Sequence, residues 1–390
     1  MLNRRSLRIK AFKNLYSYES CKGANYLMGL DLIDKAFSPD LNSMEIVDTE
    51  ELDQKKEWAV EEYQSHFEKK EAESQTHEEV KEQVAEALTY VEKQNKTDFD
   101  RLLKDVVAEA TKISRDQVMV LSLLEELAFV NKKLADEKMS LTPVLGDKAQ
   151  KTTNLFANKV IGKIKDSTGL QKSKQDLKIS WDLHQDQLRD WYKGVLNKDD
   201  AYKEYTKKEN TNYEEDWGIV DYICRDIIFK KDAFVSFFED LDLDWSENKP
   251  IVRSLVLKTL KNIKNETDEL ELAEVSYNWE DDVEYVKDLF KITAKEDERL
   301  EDLLKGKLQN WDIERVAMTD KVLLKMAVAE LINFPSIPTK VTINEFIEIS
   351  KTFSTPKSKK FVNGILDGLS AELMEQGVIK KSGRGLIDNK

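Results

Sequence analysis

An all-α protein is what this sequence predicts, and three observations carry the prediction. Glycine and proline are scarce, 13 and 6 in 390 residues, too few for the turn that a β-sandwich needs roughly every 8–12 positions. Apolar residues recur at the helical spacing over long stretches. Helix-start signals (Thr or Pro ahead of such stretches) mark several of their beginnings. Hydrophobic residues at 40% and aromatics at 9% separate the chain from the disordered class, and its length predicts two or more domains.

The first expected helix covers residues 3–20. It is basic at its start (Arg4, Arg5, Arg8, Lys10, Lys13) and apolar or aromatic beyond (Phe12, Leu15, Tyr16, Tyr18). Gly23, Asn25, Gly29 and Pro39 then suggest a break. Residues 45–96 are rich in Glu, Lys and Gln, and Val80, Val84, Leu88 and Val91 make a narrow stripe there. Such stripes occur in helical hairpins, but the expectation here is a solvated surface helix. A periodic segment runs from Phe99 to Lys138 and ends at Leu141-Thr-Pro143, because proline disfavours helix at the residue before it. Further helices are expected at 151–166, 174–197, 216–229 and 231–241, and Pro250 as a first helical residue would open another from Ile251 to Ile263.

Two stretches about 66 residues apart resemble one another. Tyr222-Ile-Cys-Arg-Asp-Ile-Ile-Phe-Lys is echoed by Tyr285-Val-Lys-Asp-Leu-Phe-Lys, and tryptophans follow at Trp245 and Trp311. A degenerate duplication and chance similarity between amphipathic helices both account for this. Over the last hundred residues, helices are expected at about 280–294, 296–307, 314–333, 342–353 and 357–375. Thr342 with Glu345 would form a capping box, and Thr355-Pro356 a second start signal.

Catalytic chemistry finds little support. Gly162-Lys163 lacks the upstream glycine and following Ser or Thr of a phosphate-binding loop. No dinucleotide fingerprint, nucleophile elbow or zinc cluster occurs. Cys21 and Cys224 make no disulfide framework and fit a reducing compartment, and His66, His77 and His184 lie far apart. The most apolar stretch, Val118–Val130, is interrupted by Glu125 and Glu126, so no membrane span is expected. The reading is a cytoplasmic binding protein without cofactor or metal.

Charge distribution sharpens it. The chain carries a net charge of −14, yet basic residues gather in three nearly acid-free places. These are Arg4 to Lys13, then Lys351 with Lys357, Lys359 and Lys360, then the tail with Lys380, Lys381, Arg384 and Lys390. Such clusters neutralise phosphates, and the neighbouring Tyr16, Tyr18 and Phe361 could stack on unpaired bases.

The C-terminal pattern resembles a known family. Pro338-Thr-Lys-Val-Thr-Ile-Asn344-Glu-Phe-Ile-Glu-Ile-Ser-Lys351 is followed by Phe353-Ser and by Ser358-Lys-Lys-Phe361-Val-Asn363-Gly364-Ile-Leu-Asp367. This is similar to the C-terminal signature of the NusB family of transcription antitermination factors. Trp311 to Leu331 resembles the family's long core helix, and Arg4 to Tyr18 its arginine-rich first helix. Family members are typically much shorter, so the resemblance implies residues 1–21 as the first NusB-like helix and 22–279 as a helical insertion or accessory region. The stretch at 216–263, where duplication and chance similarity are both open, falls in that region. The NusB-like core would occupy 280–376, and 377–390 would be a basic flexible tail. The extended form resembles the version found in Bacteroidetes-type bacteria.

The resemblance also implies a function. NusB-like proteins are all-helical bundles of two small subdomains, and they bind boxA-like single-stranded RNA together with NusE, a small-subunit ribosomal protein. They act in the RNA polymerase antitermination complex, promoting read-through in ribosomal RNA operons. Matched onto this chain, Arg4, Arg5, Arg8, Lys10 and Tyr16 in the first helix, with Lys357, Ser358, Lys359, Lys360 and Phe361, would meet RNA. Glu314 and Asp320 would face the basic partner. Lys357 stands where many members carry an acid. Asn344, Glu345, Asn363 and Gly364 are expected to serve caps and packing. The net negative charge of the insertion argues against RNA binding there. Residues 99–264, with Trp181, Trp191, Trp217 and Trp245, hold enough amphipathic helix to bury a core, so residues 99–279 are expected to fold on their own and to contact protein. Two rivals remain: an RNA cytosine methyltransferase system carrying a NusB-like domain, and a helical adaptor acting through the insertion.

Overall fold

The computed structural model describes residues 2–39, 48–68, 77–141, 154–307 and 316–389. They fall into two compact units, Met1–Ser6 with Glu109–Asp282 and Leu7–Ala108 with Val283–Lys390. Among them the fold is all-α, without strands.

The second unit begins with most of α1 (Arg4–Ala36). This helix continues well beyond the expected end at residue 20, because the helix-weak residues inside it serve packing. Gly29 lets α1 approach α2 (Thr49–Glu68) closely: a β-carbon there would fall on the Tyr63 hydroxyl, which donates to the Tyr26 carbonyl at 2.9 Å. Asn25 is buried and donates to Asn95 and Asp98 at 2.9 and 3.0 Å. Both acceptors belong to α3, a 64-residue helix from Glu78 to Leu141 that joins the two stretches expected to be separate. Its stripe is core, not solvated surface. Val80, Val84, Ala87 and Val91 are buried against Ile33, Phe37, Ala59 and Tyr63, so the hairpin alternative is the one that packs.

The first unit contains the remainder of α3, then α4 (Lys159–Asp166), α5 (Thr168–Asp176), α6 (Gln185–Gly194), α7 (Asp200–Thr206), α8 (Tyr213–Tyr222), α9 (Asp232–Leu241) and α10 (Trp245–Asn262). The helix expected at 174–197 is broken. Lys178 takes the left-handed conformation at φ 52°, and the Ile179 amide reaches back to the Lys174 carbonyl at 2.9 Å. This is the helix stop usually written with glycine, hidden here by a lysine. A π-helical turn, Ile223–Ile228, follows α8. Pro250 lies inside α10 rather than opening it, because Asp242 holds an earlier start. The Trp245 amide bonds to the Asp242 carbonyl at 2.8 Å, and Asn248 Nδ2 to its carboxylate at 2.8 Å. Buried Asn158 caps α4 and joins Tyr205 and Asp216 in one hydrogen-bonded cluster.

In the second unit, α11 (Trp279–Lys295) is followed by α12 (Asp297–Lys305), α13 (Met318–Asn333), α14 (Thr339–Phe353) and α15 (Ser358–Glu375). Helix α13 is the central one: Val322 to Leu331 are all buried, the charged Lys325 and Glu330 included, so it is covered on every side. Thr342 forms no capping box. It lies within α14, buried, with its hydroxyl turned to Glu330 at 2.7 Å. Thr355 and Pro356 make the tight turn before α15, where the Ser358 amide bonds to the Thr355 carbonyl at 2.9 Å. The tail expected to be flexible is docked. Lys381 Nζ donates to the Leu331 carbonyl in the last turn of α13 at 2.9 Å and to the Phe334 carbonyl just past its end at 3.2 Å, as basic residues do at helix C-termini. The Ser382 amide bonds to the Pro335 carbonyl at 3.0 Å. Among the described residues no helix is long and apolar enough to cross a membrane.

Candidate nucleic-acid interface

The residues expected to meet RNA divide into buried and exposed sets. Arg8 belongs to the first. Its guanidinium is 2% exposed and grips Glu330 with two bonds, Nε to Oε2 and Nη2 to Oε1, each 2.7 Å. Tyr285 donates to the same carboxylate at 2.5 Å and Thr342 at 2.7 Å, so four donors saturate its acceptor positions. Glu345 stands 3.8 Å from Arg8 Nη1, and the Tyr285 and Phe346 rings lie against the guanidinium. Burial alone would lower the Arg8 pKa, but Glu330 outweighs it and the group is held charged, above its ordinary range. A guanidinium so occupied is not presented to phosphate. Arg8 fastens α1 to α11, α13 and α14, and its expected RNA role is corrected accordingly.

Lys10 and Ser358 are also buried. Ser358 Oγ donates to Asp320 Oδ2 at 2.7 Å, and the Ser354 and Thr355 hydroxyls lie 3.0 and 2.8 Å from it. This hydroxyl cluster sets the corner between α14 and α15. It also corrects the reading of Asp320 as a partner-facing acid: the carboxylate is buried at the start of α13 and satisfies a serine. Glu314 lies outside the described residues.

The exposed set is Lys357, Lys359 and Lys360, with Phe361 half-buried beside them. The three lysines have no carboxylate partner among the described residues. Lys359 and Lys360 join Asn344, Ile347, Glu348, Lys351 and Asn363 around a shallow groove of about 450 Å³ between α14 and α15. Lys351 pairs with Glu348 and Asn363 with Asp367, which leaves Lys359 and Lys360 as its uncompensated charges. The Ser358 amide is used by the Thr355 carbonyl, and those of Lys360 and Phe361 by the Lys357 carbonyl. With three of the first four α15 amides so used, attraction for an anion here rests mainly on the lysines and the α15 dipole. Tyr16 is exposed near the same corner: Phe12 packs against both Tyr16 and Phe353, at 6.4 and 5.4 Å between ring centroids. Lys13 lies over the Phe353 ring at 5.6 Å. Arg4, half-buried, and Arg5, exposed, belong to the other unit.

Sequence reasoning missed Glu330. The signal was available, since a carboxylate within the apolar run Met326-Ala-Val-Ala-Glu-Leu is costly to bury unless a cation meets it.

Comparison with known proteins agrees with this C-terminal architecture. The model of the NusB family matches residues 250–371. That range begins within α10, ahead of the boundary at 280 read from the sequence. Similar proteins include the transcription antitermination protein NusB of Salinibacter ruber, 42% identical over 104 residues, which is 27% of this chain and 65% of that protein. The protein of the same name from Chloroherpeton thalassium is 45% identical over 103 residues, 26% of this chain and 49% of the relative. That of Koribacter versatilis is 41% identical over 86 residues, 22% and 59% respectively. The chain thus spans about half to just under two thirds of the length of these relatives. Through residues 250–371, the chain carries a NusB family domain.

Proposed function

We propose that the chain is a non-enzymatic transcription antitermination factor that binds boxA-like single-stranded RNA together with NusE, the small-subunit ribosomal protein. The reading places it in the RNA polymerase antitermination complex of ribosomal RNA operons. The observation that carries it is the α14–α15 corner: three exposed, unneutralised lysines, a half-buried phenylalanine and an exposed tyrosine in a chain of net charge −14. Cations held apart from acids release counterions when they meet phosphate, and aromatic faces take unpaired bases. The names of the three relatives favour antitermination over the RNA-modifying alternative. Lys357, Lys359, Lys360, Phe361 and Tyr16 are the residues assigned to RNA, with Arg4 and Arg5 as further cations. Glu314 keeps its proposed role toward the basic partner. Residues 22–279 are read as an accessory region.

The test is fluorescence anisotropy of a labelled boxA-like RNA titrated with the full chain, alone and with NusE. Tighter binding in the presence of NusE, weakened by salt, is the expected outcome. Equal affinity for the RNA and its duplex form, unaffected by NusE, would refute the reading.

A further inference from the structure

A fourth basic stretch lies in the first unit, where the overall charge gives no hint of it. Glu109–Asp282 holds 35 acidic against 27 basic residues. Within it, no acid occurs from Asn248 to Asn265, while Lys249, Arg253, Lys258, Lys261 and Lys264 all do. Helix α10 places Arg253, Lys258 and Lys261 along one side of a groove of about 440 Å³, with Lys264 just past its end. Trp217 of α8 and Arg225 of the π-helical turn face them. The groove's one carboxylate, Asp221, is already held by Arg225 through two bonds of 3.0 and 3.1 Å. Arg253, Lys258, Lys261 and Lys264 have no ion pair among the described residues.

Trp217 lies at the edge of the groove and is not buried in the core. Its indole Nε1 donates to the Leu260 carbonyl at 2.8 Å, which pins the ring beside α10, and it remains half-exposed with Lys264 over its face at 5.5 Å. Lysines near a helix C-terminus complement its dipole, which accounts for Lys261 and Lys264. It does not account for Arg253 and Lys258 further back, or for Arg225 arriving from another element. We infer that this groove is a second RNA-binding site, in which Arg253, Lys258, Lys261 and Lys264 hold successive phosphates of a single strand and Trp217 offers a stacking face. Like charges without counter-charges, converging on a groove with a fixed aromatic wall, are the arrangement that tracks a phosphodiester backbone. An acidic polypeptide would share the charge but gain nothing from the indole. The inference stands independently of the α14–α15 corner, and it reverses for this groove the expectation that the region's net charge excludes RNA.

The test uses the full chain and a labelled 30-nucleotide oligouridylate, without NusE, across a salt series. Arg253→Gln, Lys258→Gln and Lys261→Gln together should lower the slope of log K against log salt by about 2, at about 0.7 per lost phosphate contact. Photo-crosslinking with 4-thiouridine should mark the segment from Trp217 to Lys264, and Lys357→Gln with Lys359→Gln and Lys360→Gln should leave that crosslink in place. Circular dichroism checks that the variants remain folded, and Trp217→Leu should weaken binding without changing the slope. An unchanged slope with no crosslink in this segment overturns the inference, even if RNA binding at the α14–α15 corner survives. Oligoglutamate displacing the RNA at equal or lower concentration overturns it in favour of an acidic polypeptide.

Discussion

Two basic stretches look equivalent in the sequence, Arg4 to Lys13 and Lys357 to Lys360, and the fold treats them in opposite ways. In the first, Arg8 and Lys10 turn inward, and Arg8 meets its carboxylate 322 residues away on α13. In the second, the lysines stay in water, and only Ser358 among them is buried. An acid-free run in a sequence states only that no local acid neutralises the charge. Which side of the helix each cation occupies, and what a distant element offers it, decides whether the charge builds the fold or remains for a ligand.

The sharpest way to break this contrast is to remove Arg8. Arg8→Ala would leave Glu330 buried with two neutral donors and no cation, and breaking a buried pair on one side costs about 3–5 kcal/mol. Urea denaturation should show that loss in the second unit, while the salt slope of RNA binding by the remaining folded protein stays as it was. A stable variant with a slope reduced by about 0.7 would mean that Arg8 touches phosphate after all.

Ser358 gives a smaller effect of the same kind. Ser358→Ala withdraws the hydroxyl from buried Asp320 and should cost about 1–3 kcal/mol, with Ser358→Thr recovering part of it in the same denaturation experiment. A further charge cluster tests the inward-facing side of α1 by pH. Lys22 bridges Glu19 and Asp297, and Lys325 bridges Asp297 and Glu301. Burial would raise the Asp297 carboxyl, but Lys22 and Lys325 outweigh it and hold it below the usual range. Its contribution is therefore complete above the unfolded value near 4 and is lost as pH falls through the lower folded value. Burial would likewise lower the Lys22 ammonium, but Glu19 and Asp297 push it up to about 12. Its contribution is complete below about 10.5 and fades as pH rises toward about 12. Lys325→Met should steepen neither limb and should flatten the acid one; a wild-type acid limb in that variant would remove the cluster from the account.

Much of the fold was legible because its signals are local. The periodic runs gave the helices of the C-terminal hundred residues closely, apart from the start expected at 314, which lies outside the described residues, and Pro143 anticipated the end of α3 at Leu141. What escaped depends on contacts distant in sequence. Gly29 reads as a breaker until Tyr63 is placed against it, Lys178 conceals a helix stop, and Val80 to Val91 reads as solvated until Ile33 and Phe37 cover it. The candidate site was legible by the same measure. Lys357, Lys359 and Lys360 follow from charge and a helix start, whereas the inward turn of Arg8, Lys10, Ser358 and Asp320 required the packing of α1, α13 and α15.

The smallest effect on stability should come from the residues with the largest proposed effect on binding. Lys357→Gln, Lys359→Gln and Lys360→Gln together remove three exposed charges that hold no partner among the described residues, so the unfolding free energy from urea titration should change by no more than about 0.5 kcal/mol. If all three meet phosphate at the boxA-like strand, the salt slope should fall by about 2, and the loss of affinity should shrink as salt rises because the contacts are screened. Phe361→Leu separates charge from stacking: it should weaken binding at every salt concentration and leave the slope alone. A triple variant that unfolds early would show that this corner, like Arg8, is bound into the fold. A stable triple variant with the original slope would leave the contrast between buried and exposed cations intact but deny the exposed ones their ligand.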